Sequence, residues 1–389
     1  MSYSILYYMV GKCNRIGVVD INKIIITKHQ LFSLSANIAI GGAILFVSSS
    51  QASISKQDAW ITALIMPVLG APVIWMYWFM GRLYPGMTYV GIINKVLGKW
   101  IGFVISAGFI FLCLLVAAHV TNNISNFVDS QGYEETPIYI LSVVFMAAVV
   151  IAVLYGIETI ARASELFIYF VTALFLITML LVSPNSKIEY LQPVFEKGVV
   201  PALKGLFFLA DISTFPMVIL IMIFPLYTNN EKENKRALFK GYIWSSIIIF
   251  IAVLMPILVL GSTVTANLQY PTFVLAKEIN LGALLTRLEF VVSIIWFTTQ
   301  FMISVLCFYS GVIGLSELFG LKNHKKIVMP LGLIISVISM VAIPNSTYQL
   351  TWTMTVWPPY IATYGLLLPI FLLIVSFIKK QKSHSGKCP

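Results

Sequence analysis

The sequence predicts an all-α membrane protein with ten transmembrane helices, arranged as a 5+5 inverted repeat with helices one and six broken. Only 10% of its 389 residues are charged while 59% are hydrophobic. So few charges cannot cover the surface of a soluble chain of this length. The apolar runs reach the roughly 20 residues that a helix needs to cross a bilayer. Matching interruptions in the first and sixth runs are typical of a transporter-like core with a small-molecule site at mid-membrane.

Ten apolar runs follow one another, separated by more polar connections. One membrane domain over residues 27–380 is therefore expected between an N-terminal tail (1–26) and a C-terminal tail (381–389). The predicted spans cover approximately residues 29–50, 58–80, 99–125, 136–156, 160–183, 201–227, 241–262, 284–314, 327–344 and 352–378.

The net charge of +10 is distributed unevenly between the two sides of the predicted membrane domain. With the N-terminus inside, 19 of the 25 Lys and Arg residues lie in inside segments and 6 lie in outside segments. This bias follows the positive-inside rule and places both termini in the cytoplasm. The basic excess therefore indicates topology and contact with anionic membrane lipid rather than nucleic-acid binding.

The first predicted helix starts after Thr27, a suitable N-cap, and is interrupted at Ile40-Gly41-Gly42-Ala43. Adjacent glycines allow unusual backbone conformations and let a ligand approach the backbone closely. Small residues also serve close packing between membrane helices, so the pair alone favours neither interpretation. The matching interruption in helix six favours unwinding and assigns Ile40 to Ala43 to a ligand site.

The sixth predicted helix is interrupted at Asp211-Ile212-Ser213-Thr214-Phe215-Pro216, near mid-membrane. An ionised carboxylate at that depth costs roughly 2.5–3.5 kcal/mol on insertion scales. Asp211 is therefore expected to face a polar cavity, pair with a cation or stay protonated. Pro216 removes one backbone N–H and disfavours helix at Phe215. The alternatives are a proline kink with Asp211 satisfied by nearby hydroxyls, or a ligand site that includes Asp211, Ser213 and Thr214.

Four other polar residues lie in or beside the predicted spans. Thr298 and Gln300, at mid-depth of helix eight, either line the cavity or bond between helices, an interaction worth about 0.6 kcal/mol on average. His119, near the outer end of helix three, is either a packing residue or a proton relay. Glu165 in helix five is either an interfacial carboxylate facing water or a gating or proton-linked group.

No catalytic or cofactor motif stands out. The chain lacks a HExxH motif and a GxxxxGK[ST] phosphate loop, and its four cysteines show no metal-ligand spacing. We therefore expect a binding protein rather than an enzyme, with no cofactor and no metal. N–H groups freed near Ala43 favour a ligand carboxylate, and carbonyls freed near Ile40 and Asp211 can accept a ligand ammonium. A zwitterionic amino acid fits this arrangement.

Six short stretches, in order and spacing, resemble the spore-germination permease family. Its members are the integral membrane B subunits of nutrient germinant receptors, related to amino acid–polyamine–organocation transporters. The resemblance covers roughly residues 25–380. The stretches are Ile40–Leu45, Gln57–Ile61, Leu83–Gly86, Val96–Gly102, Tyr155–Arg162 and Phe224–Tyr227.

The resemblance implies the five-plus-five fold and a place in the inner membrane of a bacterial spore. It also implies partnership with a larger A subunit and a lipoprotein C subunit, and sensing of a nutrient such as an amino acid. Carried over by position, Gly41, Gly42 and the Asp211–Thr214 segment would line the nutrient pocket. Related transporters often carry a small residue, then Ser or Thr, then glycine at the first break, where this chain has Ile40-Gly41-Gly42.

Three functional hypotheses follow. The first is a nutrient sensor within a germinant receptor. The second is a proton-coupled secondary transporter for amino acids, and the third is a structural subunit of a membrane assembly. The fold cannot separate a sensor from a transporter. Helix five carries no intramembrane lysine in place of a sodium ion, which favours sensing or proton coupling.

Overall fold

All regular structure in the computed structural model, which describes residues 26–41, 43–130, 137–277, 289–343 and 346–385, is helical. The first half contains α1 (Lys28–Ile40), α2 (Ala43–Ser55), α3 (Ala59–Leu83), α4 (Tyr89–Leu97), α5 (Lys99–Ser130), α6 (Ile138–Tyr155) and α7 (Ile157–Val182). The second half contains α8 (Val200–Ser213), α9 (Phe224–Tyr227), α10 (Glu231–Leu260), α11 (Ser262–Asn267), α12 (Pro271–Lys277), α13 (Glu289–Leu318), α14 (Lys325–Val341), α15 (Ser346–Thr355), α16 (Trp357–Ala362) and α17 (Leu368–Ser385).

Shorter helical turns join several of these elements. Their tighter or wider winding marks places where the chain bends or where proline interrupts the α-helical ladder. They are the 3-10 helices Lys56–Asp58, Ser183–Asn185, Ile188–Leu191 and Phe215–Met222 and the π-helix Thr363–Leu367.

Eight helical segments within the described ranges are long and apolar enough to cross a membrane. This confirms a multi-pass, all-helical membrane protein. The count of ten spans stays a prediction, because α1 has 13 residues and α14 has 17, fewer than the roughly 20 of a full span. The eight segments are Ala43–Leu83, Lys99–Ser130, Ile138–Tyr155, Ile157–Asn185, Val200–Tyr227, Glu231–Leu260, Glu289–Leu318 and Trp357–Lys379.

Helices six and eight of the predicted order form the centre of the molecule. In the most apolar window of Val200–Tyr227, 83% of residues are buried inside the protein, and in that of Glu289–Leu318 67% are. No other span exceeds 50%. The central helices therefore contact protein on most sides, whereas the others leave a broad face for lipid.

The start of α1 is fixed by a capping box. Thr27 Oγ1 accepts from the Gln30 backbone N–H at 3.2 Å, and Gln30 Oε1 accepts from the Thr27 N–H at 3.1 Å. Ile26, assigned from the sequence to the tail, is buried and donates its N–H to the Tyr227 carbonyl at 2.9 Å. At the other end, α17 continues to Ser385 inside the predicted C-terminal tail. Residues 1–25 and 386–389 lie outside the described ranges.

The two halves interlock through α1. Ser35 Oγ donates to the Leu238 carbonyl of α10 at 3.1 Å. On another side, Asn37 Nδ2 donates to the Ser164 carbonyl of α7 at 3.1 Å and lies 3.0 Å from its hydroxyl. Gly241 of α10 lies so close that a Cβ there would be 2.6 Å from the Phe32 carbonyl oxygen. α1 is therefore held firmly up to the point where it breaks.

Candidate ligand-binding site

The break in helix one has the geometry of a glycine-only turn. α1 ends at Ile40 and α2 begins at Ala43, and both residues are fully buried. Gly41 adopts φ +44° and ψ −134°, while its N–H still donates to the Asn37 carbonyl at 2.8 Å. Side-chain-bearing residues rarely adopt a positive φ of this kind. The interruption predicted from the sequence is confirmed at Gly41, and Gly42 lies outside the described residues.

Gly41 also approaches helix eight closely. A Cβ at this position would lie 3.1 Å from Ile303 Cδ1 and 3.2 Å from the Ile38 carbonyl oxygen. Ile303 lines the central cavity described below. The first break therefore lies directly behind the cavity wall, separated from it by one isoleucine side chain.

The break in helix six keeps the chain helical. α8 ends at Ser213 and the chain continues at once as a 3-10 helix, Phe215–Met222, with Pro216 in its first turn. Proline suits this place because its missing N–H has no intrahelical partner there anyway. Helix six is therefore broken where predicted, by a change from α-helical to 3-10 winding.

The polar residues of the helix-six break divide into two kinds. Ser213 Oγ donates to the Leu209 carbonyl at 2.7 Å, and the Thr214 hydroxyl lies 3.2 Å from that of Tyr242. Asp211 is fully buried, yet neither of its carboxylate oxygens has a hydrogen-bond partner among the described residues. The two hydroxyls are therefore satisfied within the protein, whereas the buried carboxylate lacks the hydrogen bonds that such a group normally has.

A cavity of about 110 Å³ lies in the middle of the molecule, between α2, α5, the helix-six break, α13 and the helices around α15. Its wall is mainly apolar, with a few polar groups, which is the usual composition of a small-molecule site. None of its lining residues is a lysine, arginine, aspartate or glutamate. The lining consists of Phe46, Leu112, Val116, His119, Val120, Asn123, Ile212, Pro216, Ile219, Gln300, Ile303, Cys307, Gln349, Trp352, Thr353, Trp357 and Ile361.

Two polar residues predicted from the sequence meet in this cavity. Gln300 of α13 is 1% exposed, and neither atom of its amide has a partner within the described part of the chain. His119 of α5 lines the same cavity and stacks on Trp352, with ring centroids 3.9 Å apart and planes inclined by 22°. The cavity thus offers an unpaired amide donor and acceptor next to an aromatic wall.

The other predicted residues are placed elsewhere. Thr298 does not line the cavity, because its partly exposed hydroxyl donates to the Ile294 carbonyl of its own helix at 2.8 Å. Ser213 and Thr214 bond to other protein groups, and helix six reaches the cavity through Ile212, Pro216 and Ile219 instead. Ile40, Gly41, Ala43, Asp211 and Glu165 are also absent from the lining.

Several cavity residues were not predicted from the sequence. Trp352 and Trp357 line the wall, with ring centroids 5.9 Å apart. Gln349, Trp352 and Thr353 share one helical face by their spacing of three and four residues. The Pro358-Pro359 pair, which follows Trp357, is the sequence signal that could have drawn attention to this part of the last helix, because prolines kink a helix.

A second cavity of about 340 Å³ lies on the side predicted to be outside the cell. It shares Phe46, Asn123, Gln349 and Thr353 with the central cavity and extends to the Ala266–Tyr270 segment beyond α11. Because these four residues line both spaces, the two cavities adjoin at this point. A small molecule entering from this side would pass this point before reaching Gln300.

Comparison with known proteins identifies the chain's relatives. A family model of spore permeases, described as spore germination protein, matches residues 25–347. Spore germination protein KB of Bacillus subtilis (strain 168) is 29% identical over 367 residues, covering 93% of this chain and 97% of the relative. Spore germination protein YndE of the same organism is 25% identical over 332 residues, covering 84% and 89%.

Solved transporter structures share the fold at low sequence identity. MhsT in complex with L-phenylalanine matches with a TM-score of 0.68 at 14% identity, over 91% of this chain and 99% of that one. The nucleobase-cation-symport-1 family transporter MHP1, solved with bromovinylhydantoin bound, matches with a TM-score of 0.66 at 11% identity, over 92% and 82%. These likenesses show the fold alone. Because the family model spans most of the chain, the protein belongs to the spore permease family of spore germination proteins.

Proposed function

We propose that the protein is the nutrient-sensing membrane subunit of a spore germinant receptor and that it binds a small nutrient, such as an amino acid, in the central cavity. The observation that carries this proposal is Gln300. A buried amide without partners costs roughly 1–3 kcal/mol, and a ligand that bonds to it recovers that cost. The family supports a role in germination, and the cavity supports binding as the means.

The ligand chemistry follows from the groups around the cavity. Gln300 Nε2 can donate to a ligand carboxylate, and Gln300 Oε1 can accept from a ligand ammonium. Phe46, in the first turn of α2, lines the cavity, so the positive end of that helix dipole lies close to the wall and also favours a carboxylate. A zwitterionic amino acid satisfies both requirements without a charged side chain in the wall.

The apolar wall determines size more than identity. A cavity of about 110 Å³ favours a small ligand. An aliphatic or aromatic wall distinguishes ligands that differ by one methylene by about 1–3 kcal/mol. We therefore propose that the side chain of the nutrient packs against Trp352, Trp357 and Ile361, and that several small amino acids compete for the site.

Ligand binding must then be communicated to the other subunits of the receptor. The resemblance implies an A subunit and a lipoprotein C subunit in the spore inner membrane, and we propose that these partners respond to ligand binding here. The helix-six break links the cavity to the centre of the fold, because Pro216 and Ile219 line it while most of that helix is buried in protein. A shift of this helix would therefore displace most of the helices that pack against it.

Replacing Gln300 with leucine tests the proposal. We expect Gln300→Leu to weaken nutrient binding by the purified protein about 10- to 100-fold, the equivalent of the amide bonds lost. Spores carrying the variant should need correspondingly more nutrient to germinate. Binding is measured by titration calorimetry over an amino-acid panel, and germination is measured in the same panel.

Thr298→Val is the matched control, since Thr298 lies on the same helix, two residues away, and does not line the cavity. It should leave both readouts unchanged. Equal nutrient sensitivity in Gln300→Leu and wild type, at equal membrane levels, would contradict the proposed site. Uptake of the bound nutrient into reconstituted vesicles would instead assign the proton-coupled transporter.

A further inference from the structure

A groove of about 530 Å³ opens between α1, α7 and α10. The residues that line it differ from those that line the central cavity. At one end it is lined by Lys28, Arg236 and Lys240. At the other end it is lined by Trp244 and Ile247, which are 38% and 53% exposed. The groove is thus basic at one end and apolar at the other.

The helix α10 supplies this gradient in a single stripe. Arg236, Lys240, Trp244 and Ile247 follow one another at intervals of three or four residues, so they share one helical face. From Arg236 to Ile247 the helix rises roughly 16 Å at about 1.5 Å per residue. That distance matches the step from the head-group region of a bilayer into its acyl region.

The charges at the basic end are only partly balanced. Within the described part of the chain, Arg236 and Lys240 have no acidic partner within ion-pair distance, and Lys28 lies 3.9 Å from Glu233. Three cations therefore meet one carboxylate in the lining of the groove. The opposite end adds Tyr169 of α7, an aromatic side chain that is 51% exposed.

We propose that this groove binds one anionic phospholipid. Its phosphate lies between Lys28, Arg236 and Lys240, and one acyl chain follows Trp244 and Ile247. The charge excess selects an anionic head group, because a guanidinium and ammonium groups bind phosphate oxygens by charge-assisted hydrogen bonds. The exposed apolar end needs an acyl chain to cover it, which a free phosphate or a soluble phosphate ester does not provide.

The groove joins the three helices that hold the first break in place. The Phe32 ring of α1 meets the Trp244 ring edge-on at 6.2 Å, and Trp244 Nε1 donates to Thr172 Oγ1 of α7 at 3.1 Å. A lipid seated here therefore contacts α1 and α10 together. Bound lipid should stabilise their packing and the position of α1 up to Gly41.

Binding of phosphatidylglycerol to the purified full-length protein tests the inference. Native mass spectrometry should show one retained phosphatidylglycerol in preference to phosphatidylcholine, and the lipid should raise the melting temperature. Arg236→Gln with Lys240→Gln should lower the affinity about 10- to 30-fold, as expected for the loss of two surface cations. The charge-conserving pair Arg236→Lys with Lys240→Arg should keep it.

The matched control is Lys322→Gln with Lys325→Gln, which removes two exposed cations near the start of α14. It should retain the lipid. Brominated phosphatidylglycerol should quench more fluorescence in wild type than in Trp244→Phe, and brominated phosphatidylcholine should not. Equal lipid retention in the Arg236→Gln/Lys240→Gln and Lys322→Gln/Lys325→Gln variants, or an equal melting shift with glycerophosphate alone, would overturn the proposal.

Discussion

Gln300 and Asp211 are both buried polar residues without partners among the described residues, but they have different surroundings. Gln300 lines the central cavity, so a ligand can reach its amide. Asp211 lies in the last turn of α8, next to Ile212, which lines the cavity. At the scale of single residues, we therefore propose Gln300 as the ligand contact and Asp211 as a group that responds to changes at the helix-six break.

Asp211→Asn separates these roles. Asparagine keeps the shape of the side chain but cannot ionise, so we expect the dependence of germination on nutrient dose and pH to change. An unpaired carboxylate in a membrane helix costs roughly 2.5–3.5 kcal/mol on insertion scales, so the variant should be at least as stable as wild type. Dose curves are recorded in acidic, neutral and alkaline buffer, with thermal melting of the purified protein beside them.

The control for Asp211→Asn is the Gln300→Leu protein, which should lose nutrient affinity by a similar factor in every buffer. A dose curve for Asp211→Asn that matches wild type throughout would return Asp211 to a structural role in the proline kink.

At the scale of elements, the two broken helices are built differently. Helix one stops at Gly41, which has a positive φ. Before the break, α1 is hydrogen-bonded to α7 and α10. After the break, the first turn of α2 reaches the cavity. Helix six changes from α to 3-10 winding at Pro216 and remains helical. The first break depends on one residue's backbone freedom, whereas the second depends on a proline and its neighbours.

Gly41→Val should abolish the nutrient response while leaving membrane insertion intact. The substitution strains the backbone, at a cost of about 1–3 kcal/mol, and pushes a side chain against Ile303 behind the cavity wall. Insertion depends on hydropathy, which valine does not reduce. Germination of mutant spores and the amount of protein in their membranes are measured together.

Gly98 provides the control, since it also has a positive φ, of 84°, but a Cβ there would meet nothing within 4 Å. Gly98→Val should carry similar backbone strain and keep the nutrient response. Normal germination kinetics in well-expressed Gly41→Val spores would contradict the role of the first break.

At the scale of the whole molecule, topology connects the sites to the two sides of the membrane. With the orientation that the charge bias predicts, the second cavity lies toward the outside of the membrane. The groove between α1, α7 and α10 lies toward the inside. Ten spans then place the connection after α7 outside and the connection before α10 inside. The nutrient would then enter from the outside, and the phospholipid would bind on the inside.

Cysteine labelling tests this arrangement. In a background where Cys13 and Cys388 are replaced by serine, the buried Cys113 and Cys307 should react slowly. Asn185→Cys should react with a membrane-impermeant maleimide in intact cells, and Asn229→Cys should react only after permeabilisation. Reaction of both from the same side would contradict the ten-span topology.

The sequence alone determined the features that depend on local chemistry. Hydropathy and charge bias indicate a helical membrane protein because each span must be apolar along its own length. The breaks at Gly41 and at Asp211–Pro216 were predicted because glycine and proline act on the backbone where they stand. The 3-10 winding of helix six was not predicted, since it depends on how tightly its neighbours pack.

Only the tertiary structure decided which polar groups share the cavity. Thr298 and Gln300 are two residues apart, so they lie roughly 200° apart around a helix. The packing of α13 turns Gln300, and not Thr298, toward the cavity. His119 meets Trp352 although the two are distant in the chain. The rotation of each helix about its axis is set by contacts with distant segments, and a linear pattern of polar residues does not contain those contacts.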